Sequence, residues 1–305
     1  MISEAPARAS SGRPGAAVRA PVVSFDRQAV DFDRRAGLPA GVAPRVAAAV
    51  AELAPPGGGV LLDVGAGTGQ IGEHLARIWG AGTWGARGRS RYLGIDVSGP
   101  MLAVFRRKLG AGPRSTLVRA DAGVRWPIAS GAVALAFLSR AAHLLPPALL
   151  VEECVRMASP RGATVVFGCV RAEPESLREV LRRQMRRLLA EHGFEGRRAR
   201  ASQRVLADAL AERGGEVLPV RTAASWEVIH RASDALAAWR AKAGLGGRAV
   251  PPEVQDDVLH RLEEWILEKY GSVDAAREAT ERYQLVAIRL PKSSDRKGRE
   301  TEWQS

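Results

Sequence analysis

Residues 59–72 read Gly-Val-Leu-Leu-Asp-Val-Gly-Ala-Gly-Thr-Gly-Gln-Ile-Gly, and no other stretch restricts the fold as strongly. The short apolar run, preceded by Pro55-Pro56-Gly57-Gly58, predicts a strand buried on both faces. The alternate glycines behind it permit a tight turn, and residues 71–79 continue as a helix whose first N–H groups are free to meet a ligand. Strand, glycine turn and helix together form the opening unit of a parallel sheet. The alternation then repeats. Strands are predicted at 92–95, 116–119, 133–138 and 163–170, with helices at 100–109 and 149–157. The expected fold class is α/β: a doubly wound, mostly parallel sheet with helices on both faces.

Beyond residue 170 the pattern turns helical. Helices are predicted at 173–192, 205–213, 233–243 and 253–270, with a short strand at 217–220 and a final strand at 283–290, closed by Pro291. The expected organisation is a flexible leader over 1–22, a cofactor-binding α/β core over 23–170, and helical insertions forming a substrate cap over 171–282. The last sheet strand follows over 283–291, then a polar tail over 292–305. The helical blocks are expected to stand over the ligand-binding edge of the sheet. Trp226, Trp239, Trp265 and Tyr270 fall within them, either lining an apolar acceptor pocket or anchoring the helices to one another.

Composition removes several classes of function. Two cysteines, Cys154 and Cys169, are too few for a disulfide framework or a cysteine-based metal site, and no metal is expected. The most apolar window, 132–151, is interrupted by Arg140, His143 and Pro146-Pro147, so no membrane span is expected. With no secretory signal evident, the expectation is a soluble, cytoplasmic protein. The formal net charge is +12, and 40 of the 45 basic residues are arginine. Arg182-Arg183, Arg186-Arg187 and Arg197-Arg198-Arg200 cluster, but Glu175, Glu179 and Glu191 are interleaved with them as on a solvated helix face. Nucleic acid is therefore the less favoured partner, behind a small-molecule substrate.

Two cofactor classes compete for the glycine turn. Gly67-x-Gly69-x-x-Gly72 satisfies the dinucleotide fingerprint. Gly65-x-Gly67-x-Gly69, in contrast, is preceded by Asp63, and a carboxylate there would repel a pyrophosphate while attracting an ammonium and a sulfonium. Asp63 thus points to S-adenosyl-L-methionine over NAD or FAD. Asp96, closing the second strand, can accept from both hydroxyls of a ribose. Asp121, after the third strand, can accept from an adenine amino group.

At these residues the chain resembles the class I S-adenosylmethionine-dependent methyltransferases, closest to their small-molecule-modifying branch. The resemblance rests on Leu61-Leu-Asp-Val-Gly-Ala-Gly-Thr-Gly69, Gly94-Ile-Asp-Val-Ser-Gly-Pro-Met-Leu102 and Val118-Arg-Ala-Asp-Ala122. The segment from Phe25-Asp26 to Pro39 is similar to the family's helix that closes over the cofactor. The resemblance implies a seven-stranded sheet whose last strand is antiparallel. It also implies that Asp63 orients the methionine end, and that Gly65, Gly67 and Gly69 let the cofactor lie against the backbone. Asp96 would hold the ribose, Val97 and Met101 would flank the adenine, Asp121 and Ala122 would read its edge, and Ser139 would face the methionine group. The chain departs from the family pattern at Val133-Ala134, where a Phe-Asp pair is common, and in a longer, glycine-rich loop at 80–89.

Methyl transfer is an in-line displacement governed by alignment in a dry site, and a general base matters only where the acceptor must lose a proton. His143, just beyond the fourth strand, is the leading base candidate, although family members commonly carry a histidine there for packing. His230 and Glu173 are weaker candidates. The Asn/Asp-Pro-Pro-Tyr signature is absent after the fourth strand, where Leu138-Ser-Arg-Ala-Ala142 stands. Three other readings remain: an RNA-modifying methyltransferase, a cofactor-binding protein without transfer, and an oxidoreductase, the last disfavoured by Asp63.

Overall fold

In the computed structural model, apolar strands alternate with amphipathic helices along most of the chain, and residues 26, 29–80, 91–110, 115–194, 203–242, 244–247 and 249–292 are described. The predicted leader over 1–22, Phe25, most of the loop at 80–89, Arg197-Arg198-Arg200 and most of the polar tail lie outside them.

The elements run α1 (Phe32–Ala36), α2 (Val42–Ala51), β1 (Val60–Val64), α3 (Gly72–Gly80), β2 (Arg91–Asp96), α4 (Gly99–Leu109), β3 (Ser115–Arg119) and β4 (Val133–Ser139). A 3-10 turn at Ala142–Leu144 leads to α5 (Pro147–Met157), β5 (Ala163–Ala172), α6 (Leu177–Glu191) and α7 (Gln203–Glu212). Then come β6 (Glu216–Val217), β7 (Arg221–His230), α8 (Ala232–Arg240), α9 (Pro252–Tyr270) and β8 (Arg277–Leu290). The sheet order is β3-β2-β1-β4-β5-β8-β6, with β7 also paired to β8. The pairings among β1 to β5 are parallel, and β8 is antiparallel to β5, β6 and β7.

The sheet thus has eight strands where seven were expected. Both β6 and β7 lie along one edge of β8: Glu216 and Val217 face Arg289 and Ile288, and Arg221–His230 faces Leu285 to Arg277. One outer lane is broken at Leu218–Val220, so eight strands fill seven lanes. The strand predicted at 217–220 was misplaced because Arg221–His230 is a half-exposed edge strand without a continuous apolar run. The final strand also starts earlier than predicted, at Arg277, since residues 277–282 are mostly charged and carry no apolar signal.

Alternating side chains divide the core between the two faces of the sheet. Leu61, Tyr92, Leu135 and Phe137 pack under α2, α3 and α4 with Leu75, Trp79 and Phe105. Leu62, Val64, Ile95 and Leu138 face the other way, against Leu150, Cys154 and Met157 of α5 and Leu206 and Leu210 of α7. A third cluster binds α6, α8 and α9 through Leu181, Met185, Leu236, Leu259 and Leu262. Trp239, Trp265 and Tyr270 pack against this third cluster, and Trp226 packs against the first. The spacing of Trp239, Trp265 and Tyr270 reflects helix–helix packing, Trp226 lies on β7, and none of the four lines the cavity.

One buried acid ties the β3–β4 connection to α5. Glu153 Oε2 accepts from Trp126 N (2.9 Å) and Arg156 Nη2 (2.6 Å), while Oε1 accepts from Arg156 Nε (2.9 Å). The Arg156 bonds, ahead of the desolvation that opposes them, hold the Glu153 pKa below its ordinary value. Glu153→Ala would leave the Arg156 guanidinium and the Trp126 N–H without this acceptor, and is expected to lower the unfolding free energy by about 3 kcal/mol, read from urea denaturation.

Candidate functional site

The carboxyl ends of four parallel strands deliver the site. A cavity of about 860 Å³ opens there, lined by Asp63–Thr68, Asp96, Val97, Met101, Ala120–Gly123 and Ser139–Ala141. Phe32 of α1, Gln70–Gly72, Phe137 and His143–Pro147 complete most of the wall. This is the crevice in which open α/β sheets bind ligands, and its volume sits toward the upper end of the roughly 300–1,000 Å³ typical of small-molecule sites.

Asp63, at the end of the central strand, is 3 % exposed. Its Oδ2 accepts from the Tyr92 hydroxyl at 2.6 Å across the β1–β2 pair. Desolvation, only partly offset by that bond and reinforced by nearby Asp96, pushes its pKa up to about 7. A buried carboxyl titrating there gains most from a cationic ligand. Tyr92 was not singled out from the sequence, because an aromatic in a predicted strand reads as core; its burial on one face is consistent with that, and only the pairing register brings its hydroxyl to Asp63.

Asp96 has both oxygens oriented by backbone: Oδ2 accepts from Gly67 N and Oδ1 from Ser98 N, each at 2.8 Å. It therefore shapes the glycine turn as well as facing the cavity. Burial, ahead of these bonds, raises its pKa. Asp121 Oδ1 accepts from Gly123 N at 2.7 Å, closing a local turn beside Ala122. Ser139 Oγ and Tyr283 Oη lie 2.7 Å apart, bringing β8 to the end of β4.

Of the sequence-predicted cofactor residues, Asp63, Gly65, Gly67, Asp96, Val97, Met101, Asp121, Ala122 and Ser139 line this one cavity, as does the base candidate His143, whose side chain is exposed at the rim. Gly69 does not. It has φ 73°, and a Cβ built on it would stand 2.0 Å from Phe105 Cδ2, so this glycine lets the turn settle on α4 rather than lets a ligand approach. Of the weaker candidates, His230 and Glu173 also lie away from the cavity wall. Among the described residues, the helical second half contributes Ala249 to the lining, alongside Phe32 of α1 and the turn after β4.

Several site residues were not given individual roles from the sequence, although Asp26 and Asp33 fall in the segment likened to a closing helix. Asp33 on α1 accepts from Thr68 Oγ1 in the glycine turn and from Lys108 Nζ on α4, while Asp26 accepts from Ser98 Oγ. These contacts fasten α1 and Asp26 beside the cavity, with Phe32 in its wall. The Gln70 Oε1 atom is buried without a hydrogen-bond partner. Arg140 has φ 54°, a left-handed conformation that costs a non-glycine residue roughly 1–2 kcal/mol, and it is braced by its N–H to Gly168 O at 2.9 Å. Among the described residues there is no cluster of three or more metal-ligating side chains, and no helix is long and apolar enough to cross a membrane.

The clustered arginines of α6 are largely paired within the fold. Arg178 meets Glu281, Arg182 meets Glu179, Arg183 meets Glu175 and Arg187 meets Glu191.

Comparison with known proteins agrees with this geometry. Residues 61–162 match the family model described as a methyltransferase domain. The chain is 29% identical over 150 residues to a Pyrobaculum calidifontis protein provisionally assigned as a cobalt-precorrin-6B C(15)-methyltransferase (decarboxylating), a match spanning 45% of this chain and 73% of the relative. A Bacillus halodurans protein, provisionally assigned as a methyltransferase, shares the fold with a TM-score of 0.50 at 17% identity, over 80% of this chain and 98% of that one.

Gly69→Ala should disturb the turn without touching the cavity wall. A destabilisation of about 2–5 kcal/mol is expected from the clash with Phe105 and the left-handed backbone, measured by chemical denaturation.

Proposed function

We propose that this chain, whose residues 61–162 match a methyltransferase-domain model, is a class I methyltransferase that binds S-adenosyl-L-methionine in the cavity and methylates a small or medium organic acceptor at oxygen, nitrogen or carbon. The observation that carries this reading is Asp63: a buried carboxyl, at the cavity wall, directly before a glycine turn. The other groups present fit the same ligand. Gln70 Oε1 is a buried acceptor awaiting a donor, and a Cβ on Gly67 would meet nothing nearer than Gly65 O at 4.0 Å, so the turn is open to close approach. The Pyrobaculum relative, named for cobalt-precorrin-6B, supports a small acceptor.

When bound, S-adenosylmethionine supplies an electrophilic methyl group on a positively charged sulfur. Asp63 holds the ammonium of its methionine end, with Tyr92 fixing the carboxyl's orientation. Asp96, already oriented by Gly67 and Ser98, accepts from the ribose hydroxyls. Val97 and Met101 flank the adenine, Asp121 and Ala122 read its edge, and Ser139 faces the methionine group. Phe32, Leu144, Leu145 and Pro146 exclude water from the acceptor side. Alignment in such a site can supply up to about 7–11 kcal/mol of the acceleration. Where the acceptor is a hydroxyl, a ring nitrogen of His143 takes its proton.

Calorimetric titration should show binding of S-adenosylhomocysteine and none of NADH; tight NADH binding would overturn the reading. The pH dependence has a definite sign. A cationic ligand stabilises ionised Asp63 and lowers its pKa from about 7, so binding releases a proton when the group starts protonated. Affinity for S-adenosylhomocysteine should therefore fall as pH drops from 7.5 to 5.5, approaching tenfold per unit below about 7, and Asp63→Asn should flatten that slope.

His143→Ala is expected to leave S-adenosylhomocysteine affinity within twofold. Turnover of a phenolic acceptor should fall by roughly 10²–10⁴, and an unaltered rate between pH 6 and 9 would exclude the base role.

A further inference from the structure

The cavity divides at β1. Sheet order places β2 and β3 on one side of that strand and β4 on the other. The carboxylates Asp96 and Asp121 follow β2 and β3, while Asp63 stands at the divide on β1 itself. The β4 side is built differently. Leu144, Leu145, Pro146 and Pro147 give it an apolar surface. Within that surface, Arg140 is the only permanent cation among the described residues lining the cavity.

Arg140 sits at an unusual position for a long side chain. It occupies a left-handed backbone site that glycine would fill without strain, between Ser139 and Ala141, all three of which line the cavity. Its charge also reaches the buried Tyr283 hydroxyl, where it opposes the desolvation that raises the tyrosine pKa, and that hydroxyl is bonded to Ser139 Oγ. Arg140, next to Ser139 in the chain and in the cavity wall, therefore adds positive charge to the polar Ser139–Tyr283 corner beside the apolar half. A neutral hydrocarbon acceptor has no use for such a corner, and a cationic one is repelled by it. A planar guanidinium instead matches a carboxylate with two parallel N–H donors.

We propose that Arg140 anchors an acidic group on the methyl acceptor, so that the substrate is an amphipathic acid: an apolar body resting on Leu144–Pro147 and one carboxylate held at Arg140. This rests on the methyltransferase reading above. The reacting atom is elsewhere on the acceptor, since pairing with a guanidinium withdraws the carboxylate from nucleophilic use.

The test uses the full chain saturated with S-adenosylhomocysteine, titrated with cinnamate and decanoate and with their neutral counterparts cinnamamide and decanamide. At least one acid is expected to bind tenfold or more tightly than its amide. Arg140→Gln should abolish that preference while leaving the S-adenosylhomocysteine dissociation constant within twofold, and Arg140→Lys should retain part of it. Arg140→Gly, which suits the backbone angle, should remain folded by circular dichroism and likewise lose the preference. Equal binding of both acids and their amides would overturn the proposal. So would a loss of S-adenosylhomocysteine affinity in Arg140→Gln matching the loss for the acid, because the arginine would then serve the cofactor's own carboxylate. Failure of the wild-type protein to bind S-adenosylhomocysteine would instead remove the methyltransferase reading beneath it.

Discussion

A carboxyl group enclosed at the end of the central strand is the constraint around which the site is arranged. Asp63 loses nearly all of its hydration, and it accepts a side-chain hydrogen bond from Tyr92 on the next strand. In a purely structural role such a group would be better replaced by an apolar residue of similar size. Its retention makes sense where a cation arrives from the cavity side, because the attraction is then exerted in a low-dielectric setting. The strand pairing that brings Tyr92 to Asp63 also brings Asp96 to the glycine turn. Sheet register, loop shape and ligand chemistry are therefore set by the same backbone hydrogen bonds.

Asp26 and α1 extend this arrangement. Asp33 holds Thr68 of the turn and Lys108 of α4 at once, and Asp26 holds the capping serine Ser98 of the same helix. Ser98 in turn accepts from Met101 N, so one serine both caps the start of α4 and holds Asp26. Partly exposed pairs of this kind each contribute little to global stability. Their effect is local: they determine how firmly Phe32 closes one wall of the cavity.

The first half of the fold was legible because β1, β4 and most of β5 are near-continuous apolar runs, and the glycine turn after β1 marks where the pattern begins. Asp63, Asp96 and Asp121 stood out for the same reason: charge at the terminus of a buried strand is conspicuous. The second half was less legible. The residues of β7 alternate only weakly, and residues 277–282 of β8 are mostly charged, so neither strand announces itself. Gly69 was misread because spacing cannot distinguish a glycine facing a ligand from one facing Phe105. Trp239 and Trp265 were ambiguous for a related reason: helical periodicity reports that a side chain is covered, not by what. Asp33 and Tyr92 depend on contacts between segments far apart in sequence, which local pattern does not carry.

The excess of arginine finds a physical account in the same architecture. The helices α6, α8 and α9 share a core of their own, and polar contacts join it to the sheet: Arg178 on α6 reaches Glu281 on β8, and Arg282 on β8 reaches Glu173 just ahead of α6. Within the helical unit, Arg261 bridges to Glu191 and Arg240 to Glu263. Arginine suits such positions because its planar fork can serve an acid while its stem covers apolar surface. These side chains act as connectors between a ligand-binding sheet and a separately packed helical unit. Arg140 stands apart from these connectors by its place: it is the one arginine or lysine among the described residues of the cavity wall.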